Sequence, residues 1–91
     1  MNAAPEQADF VIRLDLLEVG RLARIATIDW DSLDTAEGNR LRHFGFDDGV
    51  AVEVLHLGPF GRDPIAIRVG RMTVAIRRAH ARAVRVVPTD R

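Results

Sequence analysis

Between Ile65 and Ile76 the chain alternates apolar residues with period two on both sides of a single Gly-X pair: Ile65, Ile67 and Val69, then Gly70-Arg71, then Met72, Val74 and Ile76. A two-residue link with Gly first suits a type II′ turn, whose twist matches that of two antiparallel strands. The register it imposes sets Val69 against Met72, Ile67 against Val74 and Ile65 against Ile76. Every inward residue then meets an inward residue. A slip by one position would turn the whole apolar set to water, so turn chemistry and cross-strand pattern specify the same pairing. Any fold for this chain has to contain this hairpin.

The remaining segments read as short elements around it. With 91 residues, 47% of them hydrophobic, the chain holds one small domain with room for a core but not for a deep cavity. Residues 1–9 lack a basic start and an apolar run, so they are expected to form a flexible N-terminal tail rather than a signal peptide. Residues 10–91 form the domain. Leu14-Asp-Leu-Leu17 is a helical turn ended by Val19-Gly20. Arg21 to Asp29 is a strand with Ala23, Ile25 and Thr27 on one face, followed by a polar turn around Trp30. Asp34 caps a short helix, with Glu37 at capping-box spacing, and Leu33, Glu37, Leu41 and Phe44 fall on one side. Gly45 occupies the left-handed position that ends it, and Phe46 folds back. After the Asp48-Gly49 turn, Val50, Val52 and Val54 line a strand. Leu57 to Pro64 is a loop, Arg77 to Ala83 a helical turn, and Val84 to Val87 a closing strand stopped by Pro88. The whole predicts a mostly β fold: a small, partly open barrel of about five strands, with one short helix between the first and second strands and a helical turn before the last.

Composition removes most chemistry. There is no Cys, Lys or Tyr, and Ser32 is the only serine, without nucleophile-elbow glycines. Thiolate, Schiff-base and P-loop lysine mechanisms are therefore excluded, as are disulfides. Asp47, Asp48 and Asp63 lie in turns and loops with no cleft for paired-carboxylate work. His43, His56 and His80 stand on different elements. The cluster Asp29, Asp31, Asp34 lacks the glycine and terminal glutamate of a calcium loop. No metal ligand, cofactor site or catalytic residue is expected. Thirteen Arg balance thirteen acids, so no nucleic-acid partner is expected. Residues 1–53 nevertheless carry five Arg and eleven acids, and residues 54–91 carry eight Arg and two acids. Either the halves pair with each other, or the second half presents a basic face to an acidic partner.

The ordered series Leu14-Asp-Leu-Leu17 with Gly20 and Ala23-Arg-Ile25, Leu41 to Gly49 with Val52-Glu-Val-Leu55, Gly58-Pro-Phe-Gly-Arg-Asp-Pro64, and Val74-Ala-Ile-Arg77 with Ala79, Ala83 and Val84-Arg-Val86 resembles the FeoA family from about Leu14 to Val87. The resemblance implies an SH3-like β-barrel. It implies a cytoplasmic accessory protein of ferrous iron uptake that acts on the membrane transporter FeoB, at its cytosolic GTPase region, without inserting into the membrane. The longer tail, and Trp30 with its neighbouring acids, depart from the family pattern. An alternative is a free-standing metal-sensing domain like the C-terminal domain of iron-dependent repressors. Exposed barrel edges also leave a homo-oligomer open.

The candidate partner-binding residues are Leu57, Phe60 and Arg62 in the Gly/Pro loop, and Arg68 and Arg71 in the hairpin. Phe60 either closes the barrel end as a lid or stands out as an anchor, since aromatics and Arg dominate interface hot spots. Arg68 points away from the core and Arg71 is at the tip, where both could steer an acidic partner.

Overall fold

A computed structural model describes residues 10–89; the tail expected at residues 1–9 lies outside them. Six strands form one antiparallel sheet: β1 (Ile12–Arg13), β2 (Leu22–Ile28), β3 (Ala51–Leu57), β4 (Ile65–Val69), β5 (Met72–Ile76) and β6 (Val84–Pro88). Their spatial order is β1-β6-β2-β3-β4-β5. Two helices, α1 (Thr35–His43) and α2 (Arg78–Ala81), and two 3-10 turns, Leu14–Leu16 and Trp30–Ser32, complete the fold. The two-residue β1, paired Ile12 to Val86, adds a strand to the expected five.

The hairpin has the predicted register, with Val69 opposite Met72, Ile67 opposite Val74 and Ile65 opposite Ile76. Gly70 takes φ +58 and Arg71 stays at negative φ, as a type II′ turn requires. Met72 pairs as expected but is 45% exposed, because the tip reaches past the buried cluster that ends at Val69 and Val74.

Helix α1 is set at both ends by its sequence. The Asp34 carboxylate accepts from the Glu37 N–H at 2.8 Å. At the other end Gly45 (φ +97) donates to the Arg42 carbonyl and Phe46 donates to the Leu41 carbonyl, both at 3.0 Å. This is the paired 5→2 and 6→1 closure of a Schellman motif, and it swings Phe46 into the core at 2% exposure. Of the face expected to pack, Leu41 is buried and Glu37 is half-buried; Gly38 is buried as well, with the Trp30 ring beside it.

Two β-bulges redirect side chains that simple alternation misplaces. The β2–β6 register shifts between Ile25 and Thr27, so Ala26 is the extra residue. Thr27 is thereby exposed and Ile28 takes the core position. The β3–β4 register shifts between Val54 and His56, which turns His56 out and packs Leu57 against the core. The core itself is the set of inward residues of β2 to β6 closed by Leu14, Leu17, Leu41 and Phe46.

One charged residue is inside it. The Asp15 side chain has no exposure and receives Arg13 in two parallel hydrogen bonds, at 2.9 and 3.0 Å. Arg82 and Arg78 approach the same carboxylate at 3.8 and 4.0 Å. A carboxylate can be buried when several guanidinium donors replace its water.

Candidate protein-docking surface

The loop between β3 and β4 is short of freedom. The Gly58 N–H donates to the Pro64 carbonyl at 2.8 Å. A Cβ on Gly58 would lie 2.6 Å from that same oxygen, so only glycine permits the strand ends to approach this closely. Gly61 and Arg62 both take left-handed backbone, at φ +66 and +71. Asp63 holds the loop to α2. One carboxylate oxygen accepts the Arg78 N–H at 3.0 Å and the other faces Arg77 Nε at 3.5 Å. Arg78 closes the circuit by donating from Nη1 to the Gly61 carbonyl at 3.2 Å, while its Nη2 reaches Asp15. The loop is thus tied through one arginine to the buried carboxylate of the core.

On this braced loop Phe60 is 80% exposed. It does not fold over the barrel end as a lid. Beside it lies a concavity of about 400 Å³ bounded by Phe60, Asp63, Pro64 and Arg77. Pro64 and Arg77 also border a trough of about 370 Å³ that continues between Arg40 and Leu41 of α1 and Ala75 and Ile76 of β5. The two form one track leading from the exposed ring to the β5 edge. Its far side is crossed by His80, which meets Glu37 at 2.9 Å.

The five candidate residues do not form one patch. Phe60 and Arg62 share the loop, and Leu57 lies under it, half-buried against the core. Arg68 and Arg71 belong to the other end of β4, about 13 Å away at 3.3 Å per residue. Arg68 is bonded to Glu53 at 2.9 Å on the neighbouring strand. Arg71 has no ion pair among the described residues. Part of the uneven charge of the two halves is used internally, through Arg68 with Glu53 and through Arg78 and Arg82 with Asp15.

Sequence reasoning missed Asp15 and the trough. A signal for Asp15 existed: an acid in one helical turn between Leu14 and Leu17, both of them buried, in a chain whose other half has unmatched arginines. A further concavity, about 580 Å³, is lined by Trp30, Arg42 and Phe46, with the Arg42 guanidinium stacked 4.0 Å over the indole. Among the described residues no group of three or more His, Cys, Asp or Glu could hold a metal ion, and no helix is long and apolar enough to cross a membrane.

The FeoA domain model matches residues 12–88. FeoA of Stenotrophomonas maltophilia, solved with zinc and described as a prokaryotic SH3 domain protein, is 29% identical; the match covers 82% of this chain and 88% of that one, with a TM-score of 0.70. The FeoA protein of Chlorobium tepidum is 27% identical over 85% of this chain and 70% of that one, with a TM-score of 0.74. The repressor IdeR of T. acidophilum is similar in fold, with a TM-score of 0.74 at 19% identity, over 87% of this chain and 34% of that one. No curated protein sequence matches the chain.

Proposed function

The chain belongs to the FeoA family, an SH3-like fold with a part in ferrous iron transport, and we propose that it plays this part as a non-enzymatic cytoplasmic module that docks on the cytosolic GTPase region of FeoB. The observation that carries the reading is Phe60: a large apolar side chain, 80% exposed, on a loop fixed by hydrogen bonds to α2 and to its own base. An aromatic on a pinned backbone leaves only two side-chain torsions to fix when a partner covers it, and an apolar anchor buried in a partner's pocket is a common source of interface energy. Arg62 beside it supplies a cation, and the track toward β5 supplies apolar surface. Docking would act on transport by favouring one conformation of the transporter over another, which requires different affinities for the two.

Affinity for the isolated GTPase region of FeoB, measured by calorimetry, tests this. Phe60→Asp should weaken binding by about 2 kcal/mol, some thirtyfold, and leave thermal unfolding almost unchanged. Unchanged affinity removes Phe60 from the interface, and no binding of the unaltered chain sinks the docking reading.

The alternative, a metal-sensing domain, draws on the fold shared with repressors. A calorimetric titration with ferrous ion separates the two. Tight one-to-one binding of ferrous ion without affinity for the GTPase region would replace docking by sensing.

A further inference from the structure

Among the described residues, strand β5 ends the sheet and pairs with β4 alone. The two-residue turn makes Val69 and Met72 a hydrogen-bonded pair, and such pairs alternate along an antiparallel ladder. Val74 and Ile76 therefore also direct their N–H and C=O groups at β4, whereas Thr73 and Ala75 direct theirs outward. Both residues are exposed, and among the described residues no turn or loop hydrogen bond takes their backbone groups. Edge strands are commonly defended by a charge, a proline or a bulge. Met72-Thr-Val-Ala-Ile76 carries no charge or proline, and its pairing with β4 is regular throughout. The opposite edge, β1, is only two residues long.

The open edge does not face bare solvent. The trough of about 370 Å³ lies against Ala75 and Ile76, with Arg40 and Leu41 of α1 as its other wall. Arg71 and Arg77 flank the strand at its two ends.

We propose that the free edge of β5 receives an extended strand from the FeoB GTPase region, with acidic residues placed to meet Arg71 and Arg77, laid in the trough against α1. The proposal rests on the docking reading and gives it a binding mode. Strand addition draws affinity from main-chain bonds, here from the outward groups of Thr73 and Ala75, and specificity from the side chains at its ends. Charge selects the occupant. A second copy of this chain could pair antiparallel about Val74, setting Thr73 against Ala75 of that copy and using every outward group. That register also sets Arg71 directly opposite Arg77 at both ends, and like charges in facing positions are destabilising. Registers that avoid the clash pair only one of the two edge residues. An acid-flanked strand meets no such conflict. Arg77 faces Asp63 at 3.5 Å through Nε and is 69% exposed, which leaves the rest of its guanidinium open to a partner's acid.

Amide hydrogen exchange on the full chain, alone and with the GTPase region of FeoB, tests this directly. In the complex the Thr73 and Ala75 amides should exchange at least about tenfold more slowly, while Val74 and Ile76, already bonded to β4, change little. Ala75→Pro removes one outward N–H without touching the β4 ladder and should weaken binding about tenfold; Ala75→Val keeps the N–H and should bind normally. If Ala75→Pro does not fold, exchange on the unaltered chain decides. A complex in which Thr73 and Ala75 still exchange fast overturns strand addition and leaves docking standing. No complex at all overturns both. Slowing of the same amides in the chain alone, together with a dimer mass at rising concentration, assigns the edge to a second copy and overturns the partner strand.

Discussion

The two ends of the β4–β5 hairpin are built differently. At the loop end, Arg77 and Arg78 meet Asp63, and Arg78 continues to the Gly61 carbonyl and to buried Asp15. At the tip, Arg71 follows a tight turn into solvent with no ion pair among the described residues. Arginines of one basic half thus serve two purposes. Those near the loop hold a shape, and the shape presents Phe60. The one at the tip holds nothing and is available as charge. The loop end should therefore govern how long a partner stays, and the tip how fast it arrives.

The strongest way to break this contrast is to remove the carboxylate at its root. Asp15→Asn leaves Arg13, Arg78 and Arg82 around an amide that can accept far less. Breaking a buried pair costs about 3–5 kcal/mol. The arginines here keep 41, 29 and 57% exposure and can turn to water, so the lower end applies. About 3 kcal/mol corresponds to a fall in Tm of roughly 12–20 °C for a domain of this size. A thermal melt within a few degrees of the parent would show that the cluster is decoration and not the brace. The same change at the tip, Arg71→Gln, is expected to leave Tm where it is.

A second test loosens the loop without touching charge. In Gly58→Ala the added methyl meets the backbone of Asp63 and Pro64, which must move. The expected cost is roughly 2 kcal/mol of stability, with a loss of FeoB affinity through the displaced Phe60. Unaltered affinity beside lowered stability would mean that the position of Phe60 does not depend on the loop.

How far this contrast was visible beforehand depends on the range of the interaction involved. The hairpin register, the Asp34 cap and the Gly45 closure were legible because each is fixed by residues a few positions apart. The bulges at Ala26 and Leu55 were not, since a bulge is set by what two strands must bury together; alternation puts Thr27 on the face of Ala23 and Ile25, where the bulge sets Ile28. The candidate site was half legible. A Gly/Pro loop with one Phe leaves the ring two places, over the barrel end or out in solvent, and the fold chooses the second. Its brace joins Asp15, Asp63 and Arg78 across most of the chain, and no local pattern records it. Arg68, Arg71, Arg77, Arg78 and Arg82 look alike in sequence, and only the fold tells which have partners.

Arg62 sharpens the comparison because it belongs to the braced end but resembles the tip. Its backbone at φ +71 costs about 1 kcal/mol for a residue with a Cβ, which glycine would not incur. Arg62→Gly should therefore raise stability by up to about 1 kcal/mol, read in a denaturant melt, while lowering affinity for the GTPase region. Gains in both would mean that the arginine contributes nothing to docking.

The smallest effect expected is at the tip itself. Arg71 lies about 13 Å from the loop end, so in the docking reading it contributes mainly through its field, apart from any acid set against it by strand addition. Arg71→Gln should slow association with the GTPase region about threefold at low salt. The difference should shrink as the Debye length falls from about 30 Å at 0.01 M to about 8 Å at 0.15 M. Dissociation carries the distinction between steering and contact. A tip that only steers leaves the off-rate unchanged, whereas a tip that meets an acidic residue on an added strand raises it as well. Stopped-flow rates at two salt concentrations would read both, and an association rate indifferent to Arg71 and to salt would leave the braced end to act without electrostatic help.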